Sequence, residues 1–375
     1  MGKIYTALGL MSGTSGDGVD ASIISSDGID QYSENLNKYF KYDHKTHENL
    51  HNLRGKLLKI EDLKKNEHEI NYLEKEITLF HAKIVNEILK TSNKDIDFIG
   101  FHGQTIYHNA SEKISKQIGD GNLLSQLTKK TVIYNFRQND IKNGGEGAPL
   151  TPVFHRLIAK QKNIQLPVCI LNIGGIANIT AINEYDNNSF FSRDLGPGNC
   201  LIDEWIRINT KNKFDNNGET AKSGKVNELI LNQALDNFDN IAYQKTLSFD
   251  TKDFSLGFVR GLSLEDGAAT LTDFTGRIIG DELFSFLSKE RDKLWKILVC
   301  GGGRKNTTLM EKIKKRTLKN LIIQSIDDYG VDGDFVESQA FGYLAIRSIM
   351  KLPISFPETT GCEKPSTGGT LVKNF

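Results

Sequence analysis

Short apolar runs separated by glycine-rich turns occur twice in the chain. Residues 4–10 and 19–25 are rich in apolar and β-branched residues, and they flank the stretch SGTSGDG at 12–18. A continuous apolar run at 167–173 stops at Gly174-Gly175 and resumes at 176–182. Apolar runs joined by a short turn containing glycine are typical of β-hairpins. The pattern therefore predicts two similar hairpins, one at the start of the chain and one at 167–182.

Other segments have the period of amphipathic helices, with apolar residues at steps of three and four. They predict helices at about 68–90, from 152 onward, and at 201–208, 226–235, 264–287 and 335–350. Further strands are predicted at 96–101, 131–136 and 294–300. Strands that alternate with helices predict an α/β fold. Because 375 residues exceed the usual size of one domain, we expect two lobes.

Composition narrows the classes of molecule that the chain is expected to bind. Lys plus Arg equals Asp plus Glu at 47 each, so no bulk positive charge favours nucleic acid or a membrane surface. No apolar run approaches the length of a membrane span. The four cysteines are far apart and form no metal-binding or disulfide pattern. The chain also opens without a signal peptide. We expect a cytoplasmic protein that binds small molecules and neither nucleic acid nor membrane.

Three glycine-rich turns, each after a predicted strand, are the first candidates for function. Glycine lets backbone N–H groups approach phosphate oxygens closely, so such turns form anion-binding sites. Each turn alone is also explained as an ordinary tight turn, and neither a Walker A motif nor G-x-G-x-x-G before a helix is present. We predict that phosphate is bound by Gly13, Thr14, Ser15, Gly16, Asp17, Gly18, Val19, Asp20, Gly174, Gly175, Gly301, Gly302 and Gly303.

Two carboxylates in the first turn suggest a metal. Asp17 and Asp20, with the hydroxyls of Thr14 and Ser15, suit a hydrated Mg²⁺ beside the β- and γ-phosphates of ATP. An aspartate in a glycine turn often makes only an Asx-turn, and the residues themselves leave both readings open.

The turn and its flanks, LGLMSGTSGDGVD at 8–20, resemble the opening motif of the anhydro-N-acetylmuramic acid kinases. Further segments resemble this family in the family's order: FHGQTI at 101–106, NFR at 135–137, GAPL at 147–150, NIGG at 172–175, DLGPGN at 194–199 and GGG at 301–303. The similarity extends over essentially the whole chain.

The resemblance implies an α/β fold of two ribonuclease-H-like lobes, as in actin-like ATPases, with ATP and substrate in a central cleft. We place the first lobe at 1–165 plus 346–375 and the second at 166–345. The implied reaction opens the internal ether of 1,6-anhydro-N-acetylmuramic acid with water and transfers the γ-phosphoryl group of ATP to O6. The product is N-acetylmuramic acid 6-phosphate, formed in cell-wall recycling. The cofactors implied are ATP and Mg²⁺, and the assembly implied is a homodimer.

Four side chains match functional positions of the family, and a fifth is a further candidate. Asp194 matches the catalytic aspartate, which should deprotonate the attacking water, although it is also placed to cap the next helix. Glu337 matches a glutamate that touches the sugar. Arg137 and His102 match positions that face the substrate, and the guanidinium suits the lactyl carboxylate. Asp120 is a candidate for the same pocket, with a turn aspartate as the alternative.

Three features depart from the family pattern. Gly16 replaces a larger apolar residue, Glu146 replaces a glutamine, and the segment SFDTKDF at 248–254 matches poorly and receives no role. Two other functions are compatible with the same fold: a kinase of an ordinary sugar or carboxylate, and a nucleotide-gated actin-like protein without enzymatic activity.

Overall fold

The computed structural model describes residues 2–185, 189–244, 248–288, 294–317 and 321–375. The chain forms two compact units, Met1–Asn163 with Phe335–Phe375 and Ile164–Asp334. The expected division, 1–165 plus 346–375 and 166–345, differs from this at the last long helix. That helix begins at Val336 and packs within the first unit.

The described strands are β1 (Tyr5–Ser12), β2 (Gly18–Ser26), β3 (Tyr32–Lys41), β4 (Phe98–Asn109), β5 (Ile114–Ile118), β6 (Thr131–Tyr134), β7 (Val168–Ile173), β8 (Ile176–Ile182), β9 (Phe190–Pro197), β10 (Lys296–Cys300), β11 (Ile322–Ser325) and β12 (Thr370–Val372). The described helices are α1 (His44–Lys56), α2 (Ile60–Lys65), α3 (Glu67–Thr91), α4 (Gly121–Thr128), α5 (Gln138–Lys142), α6 (Pro152–Gln161), α7 (Cys200–Asn209), α8 (Glu219–Ser223), α9 (Glu228–Gln244), α10 (Leu264–Ser288), α11 (Thr307–Arg316), α12 (Val336–Ile349) and α13 (Pro357–Thr360). In the part of the chain that is described, none of these helices combines the length and apolar character needed to cross a bilayer.

Each unit is built around one sheet, and the two sheets share a strand order. The first runs β12-β6-β4-β1-β2-β3, with β5 beside β4, and the second runs β11-β10-β7-β8-β9. In both, three successive strands pair antiparallel, and the first of them also pairs in parallel with a later strand. The prediction of an α/β chain with two ribonuclease-H-like lobes is confirmed.

The predicted helices and strands are present, and the missed elements include two, β3 and α1, that have no strong apolar period. Strand β3 is largely exposed, because it pairs with β2 alone at the sheet edge and therefore needs no apolar face. Helix α1 buries only Leu50 and Leu53, so its apolar period is too weak to be detected. Both of these elements border the first glycine turn.

Helix α12 lies almost entirely buried against the first sheet, at a separation that only glycine permits. A Cβ at Gly9 of β1 would lie 1.9 Å from the carbonyl oxygen of Ser338, and one at Gly100 of β4 would lie 2.2 Å from that of Phe341. Because backbone atoms cannot move aside as a flexible side chain can, these positions exclude any larger residue. The contact fixes α12, and with it Glu337, relative to β1 and β4.

We predict that Gly9→Ala destabilises the protein by about 3 kcal/mol, because the added methyl forces α12 away from the sheet. The measurement is the urea midpoint of unfolding. Gly55→Ala is the matched control, since Gly55 is exposed near the end of α1 and a Cβ there meets nothing within 4 Å. This control should be neutral or stabilising by up to about 1 kcal/mol. Equal midpoints for the two variants are incompatible with the close packing.

Candidate active site

The first glycine turn is fixed by contacts to its carbonyl oxygens. The backbone N–H of Gly16 donates to the carbonyl of Gly13 at 3.1 Å, and Gly16 has a φ of +62°, which favours glycine. The amide of Gln104, on the parallel neighbour β4, donates to the same Gly13 carbonyl at 2.9 Å. The Gln104 side chain also accepts from the hydroxyl of Ser12 at 2.5 Å. The turn is thus tied to the carboxyl edge of the first sheet.

Helix α1 supplies a second set of contacts to this turn. The guanidinium of Arg54 donates to the carbonyl of Thr14, the imidazole of His51 lies 3.0 Å from the carbonyl of Ser15, and the imidazole of His47 lies 3.3 Å from the carboxylate of Asp17. The first two contacts use carbonyl oxygens, so they hold the turn without engaging its N–H groups. Gly16 therefore lies in a restrained turn. Nothing in the weak apolar pattern of α1 predicted these three side chains.

His102 and Arg137 are brought into direct contact. The Nδ1 atom of His102 lies 2.8 Å from the carbonyl of Gly103, and its Nε2 atom lies 3.0 Å from Nη2 of Arg137. Because a carbonyl only accepts and a guanidinium only donates, Nδ1 carries the proton and Nε2 accepts. Burial, reinforced by the charge of Arg137, holds the pKa of His102 well below its usual value of 6.5. The imidazole is neutral and orients the guanidinium.

A buried aspartate supports Arg137 from the other side. The guanidinium donates to the carbonyl of Gly147 at 2.8 Å. The carboxylate of Asp140 accepts from the N–H of Gly147 at 2.8 Å and from the hydroxyl of Thr360 at 2.6 Å. Asp140 is 1% exposed, so these bonds replace the water that it loses on folding. The sequence analysis did not single out Asp140.

Glu337 lies in the first turn of α12 and interacts electrostatically with Arg137. Burial raises the pKa of this carboxyl, and the nearby guanidinium partly offsets the rise. Three of the predicted substrate residues, His102, Arg137 and Glu337, are therefore neighbours in the first unit. The prediction that they bind substrate is not tested by these contacts.

Asp120 has a clear structural task. Its carboxylate accepts from the N–H groups of Asn122 and Leu123 at 2.8 and 3.1 Å and so caps the N-terminus of α4. The turn alternative raised by the sequence accounts for these contacts. A role in substrate binding stays a prediction, and the contacts give it no support.

The other two glycine turns meet at the carboxyl edge of the second sheet. The carbonyl of Gly174 accepts from the N–H of Asn199 at 2.8 Å, and that of Gly175 accepts from the N–H of Gly198 at 2.9 Å. A Cβ at Gly303 would lie 2.2 Å from the side chain of Ile173. Strands β7 and β10 are parallel, so both turns and the start of α7 lie at one edge.

Arg304 follows the third turn and holds it in place. The guanidinium donates to the carbonyl of Gly301 at 3.0 Å and to both carboxylate oxygens of Asp327, and it also pairs with Asp334. These bonds outweigh burial and raise the pKa of Arg304, and they hold the pKa of Asp327 well below its usual value. Arg304 was not among the predicted residues, although its place directly after three glycines is a usable signal.

Asp194 lies in the edge strand β9, and it does not cap the next helix. The N-cap position of α7 is Asn199. The Oδ2 atom of Asp194 instead accepts from the backbone N–H of Phe249 at 2.8 Å. The alternative that Asp194 is merely a helix cap is therefore wrong.

Comparison with known proteins agrees with the resemblance carried by the motifs. The family model described as anhydro-N-acetylmuramic acid kinase matches residues 5–374. The chain belongs to this family. It is 60% identical over 375 residues to the anhydro-N-acetylmuramic acid kinase of Pelagibacter ubique (strain HTCC1062), covering 100% of both chains. It is 38% identical over 384 residues to the corresponding kinase of Agrobacterium fabrum (strain C58 / ATCC 33970), again covering 100% of both.

Membership of the anhydro-N-acetylmuramic acid kinase family identifies the chain as an enzyme, a kinase that uses ATP. Among solved structures, component A of (R)-2-hydroxyglutaryl-CoA dehydratase from Acidaminococcus fermentans aligns with a TM-score of 0.46 and 12% identity, over 92% of this chain and 100% of that chain. A TM-score below 0.5 does not establish a shared fold.

We predict that the lowered pKa of His102 makes stability fall in weak acid. The unfolded chain takes up a proton at this residue below pH 6.5, whereas the folded chain does not. Its contribution is therefore complete above pH 6.5 and is lost by about 1.4 kcal/mol per pH unit as the pH falls toward the lowered pKa.

The measurement is the free energy of unfolding in urea between pH 7.5 and 5. His102→Gln, which keeps an acceptor for Arg137, should lose about 2 kcal/mol less than the parent protein between pH 6.5 and 5. His44→Gln is the control, because His44 is exposed. If the free energy of unfolding depends on pH in the same way for the parent protein and for His102→Gln, the imidazole of His102 is not held neutral by burial.

Proposed function

We propose that this enzyme phosphorylates O6 of 1,6-anhydro-N-acetylmuramic acid while water opens the anhydro ring. Water adds to C1, the C1–O6 bond breaks, and O6 attacks the γ-phosphorus of ATP as the bond to ADP breaks. The water proton passes to the base. The products are N-acetylmuramic acid 6-phosphate and ADP. The observation that carries the proposal is 60% identity over the full length to a kinase of that name.

Asp194 is the proposed base. Its carboxylate is already oriented by a backbone N–H, as expected for a group that must hold one water in line with C1. A glycosidase would pair such a base with a general acid at the leaving oxygen. Here the leaving O6 bonds to phosphorus, so phosphoryl transfer takes the place of protonation.

In the first unit, Arg137 is the proposed partner of the lactyl carboxylate. His102 and the Gly147 carbonyl hold the guanidinium in one orientation, which suits a charge-assisted bond to a carboxylate. Glu337 is the proposed contact to a sugar hydroxyl or to the attacking water, and its carboxyl lies near the Arg137 guanidinium.

The glycine turns are the proposed phosphate sites, and in the first of them the side chains of Gln104 and Arg54 bind carbonyl oxygens. No group of three or more metal-binding side chains occurs among the residues that the structure describes. Mg²⁺ usually takes one or two carboxylates and fills its other positions with phosphate oxygens and water. Asp17 and Asp20 are the residues that would hold it in this way. When bound with ATP, the ion neutralises charge on the phosphates. The cytoplasmic location and the homodimer stay predictions.

The deciding test is a coupled assay of ADP release with Mg-ATP and either 1,6-anhydro-N-acetylmuramic acid or N-acetylmuramic acid. We expect activity with the anhydro sugar and a loss of about 10²–10⁴-fold in Asp194→Asn, the usual contribution of a general base. Asp236→Asn, at an exposed position of α9, is the matched control and should keep full activity.

A preference for N-acetylmuramic acid, or full activity in Asp194→Asn, would contradict the proposal. Either result favours a kinase of an ordinary sugar. ADP release that no sugar stimulates favours a nucleotide-gated protein of the actin-like class.

We predict that Arg54→Met raises KM for ATP by about tenfold and changes kcat much less, because the lost guanidinium bond loosens the first glycine turn. Lys56→Met, two residues further along α1, removes only an exposed pair with Glu69 and serves as the control. The measurement is the ATP dependence of ADP release at saturating sugar. An unchanged KM for ATP in Arg54→Met means that α1 does not position an ATP-binding turn.

A further inference from the structure

The segment 248–254, which the sequence leaves without a role, reaches the proposed base. The backbone N–H of Phe249 donates to Oδ2 of Asp194 at 2.8 Å, across 55 residues of sequence. An edge strand such as β9 has no neighbouring strand on its outer side, so its side chains and backbone are restrained by other elements or by solvent. Here the restraint on the carboxylate comes from this segment.

Aromatic packing anchors the segment to the second unit. The ring of Phe249 lies 6.0 Å from that of Phe238 on α9 and 5.6 Å from that of Phe254. Phe238 is 4% exposed and belongs to the hydrophobic core of the unit, and Phe249 and Phe254 pack against that core. The three rings therefore fix where the backbone of residue 249 lies.

Hydrogen bonds fix the direction of the backbone just beyond Phe249. The N–H of Asp250 donates to the carboxylate of Asp253 at 2.8 Å, and the carboxylate of Asp250 accepts from the N–H of Lys252 at 3.0 Å. Together they close a single 3-10 turn, Thr251–Asp253. With the rings on one side and this turn on the other, the N–H of Phe249 is held in a set orientation.

We propose that Phe249 is a positioning residue for the reaction and that its backbone N–H fixes the orientation and the charge of the Asp194 carboxylate. This inference rests on the proposed function, in which Asp194 is the base. A bond to Oδ2 restricts rotation of the carboxylate and so limits the directions from which it can take a proton from water. A donor N–H also favours the charged form of a carboxylate, the form that a base requires.

Two substitutions separate the role of the Phe249 backbone N–H from that of its side chain. If the N–H is what matters, then Phe249→Pro, which lacks it, should behave differently from Phe249→Leu, which keeps the N–H and an apolar side chain. If the segment only completes the core, both variants should act through stability alone. The pH dependence of kcat/KM separates the two, because it reports the protonation of the base in the free enzyme.

The experiment measures ADP release with 1,6-anhydro-N-acetylmuramic acid from pH 4.5 to 9 for the full-length variants, with urea midpoints beside it. We expect Phe249→Pro to move the acid limb of kcat/KM to higher pH by about one unit, since the charged carboxylate loses a donor. Its kcat should fall about tenfold. Phe249→Leu should keep the parent pH dependence of kcat/KM, even if its urea midpoint of unfolding changes.

Asp253→Ala decides the matter if Phe249→Pro fails to fold. It removes the acceptor that orders the turn and leaves the Phe249 N–H in place but less restrained. We expect a smaller shift of the acid limb in the same direction. An unshifted acid limb in every folded variant that alters the N–H or its turn overturns the inference. If Asp194→Asn itself retains full activity, the proposed base is at fault and not the positioning contact.

Discussion

The close contact of α12 with the first sheet is the constraint on which the candidate site of the first unit depends. Gly9 and Gly100 let the helix backbone touch β1 and β4, and no side chain intervenes. This contact places the ring of Phe341 4.5 Å from that of His102 and sets Glu337 near Arg137. Residues 200 or more positions apart thus become neighbours through backbone packing.

Both units build their glycine turns at the carboxyl edge of parallel strands, but they restrain those turns differently. In the first unit side chains from β4 and α1 bind turn carbonyls. In the second, the turn after β7 is bound by the backbone at the start of α7, and the turn after β10 is bound by Arg304. In each case several of the restraining bonds are accepted by carbonyl oxygens of the turn.

The surroundings of His102 and Arg304 also determine whether each side chain is neutral or charged. His102 stays neutral because burial and a neighbouring guanidinium both oppose its protonation. Arg304 stays charged because two aspartates compensate for its burial. The Nε2 atom of His102 thereby accepts from Arg137 and orients the guanidinium.

The sequence by itself determined the two hairpins, the long helices, the family and the identity of most candidate residues. These follow from local apolar period and from contiguous motifs, which do not depend on distant parts of the chain. Tertiary structure alone decided which residues support the candidates. Arg54, Asp140 and Phe249 make contacts with residues far away in sequence, namely Thr14, Thr360 and Asp194. Apolar periodicity in their own segments does not predict these contacts. A backbone N–H such as that of Phe249 leaves no trace in residue type, so only the folded chain reveals that it meets Asp194.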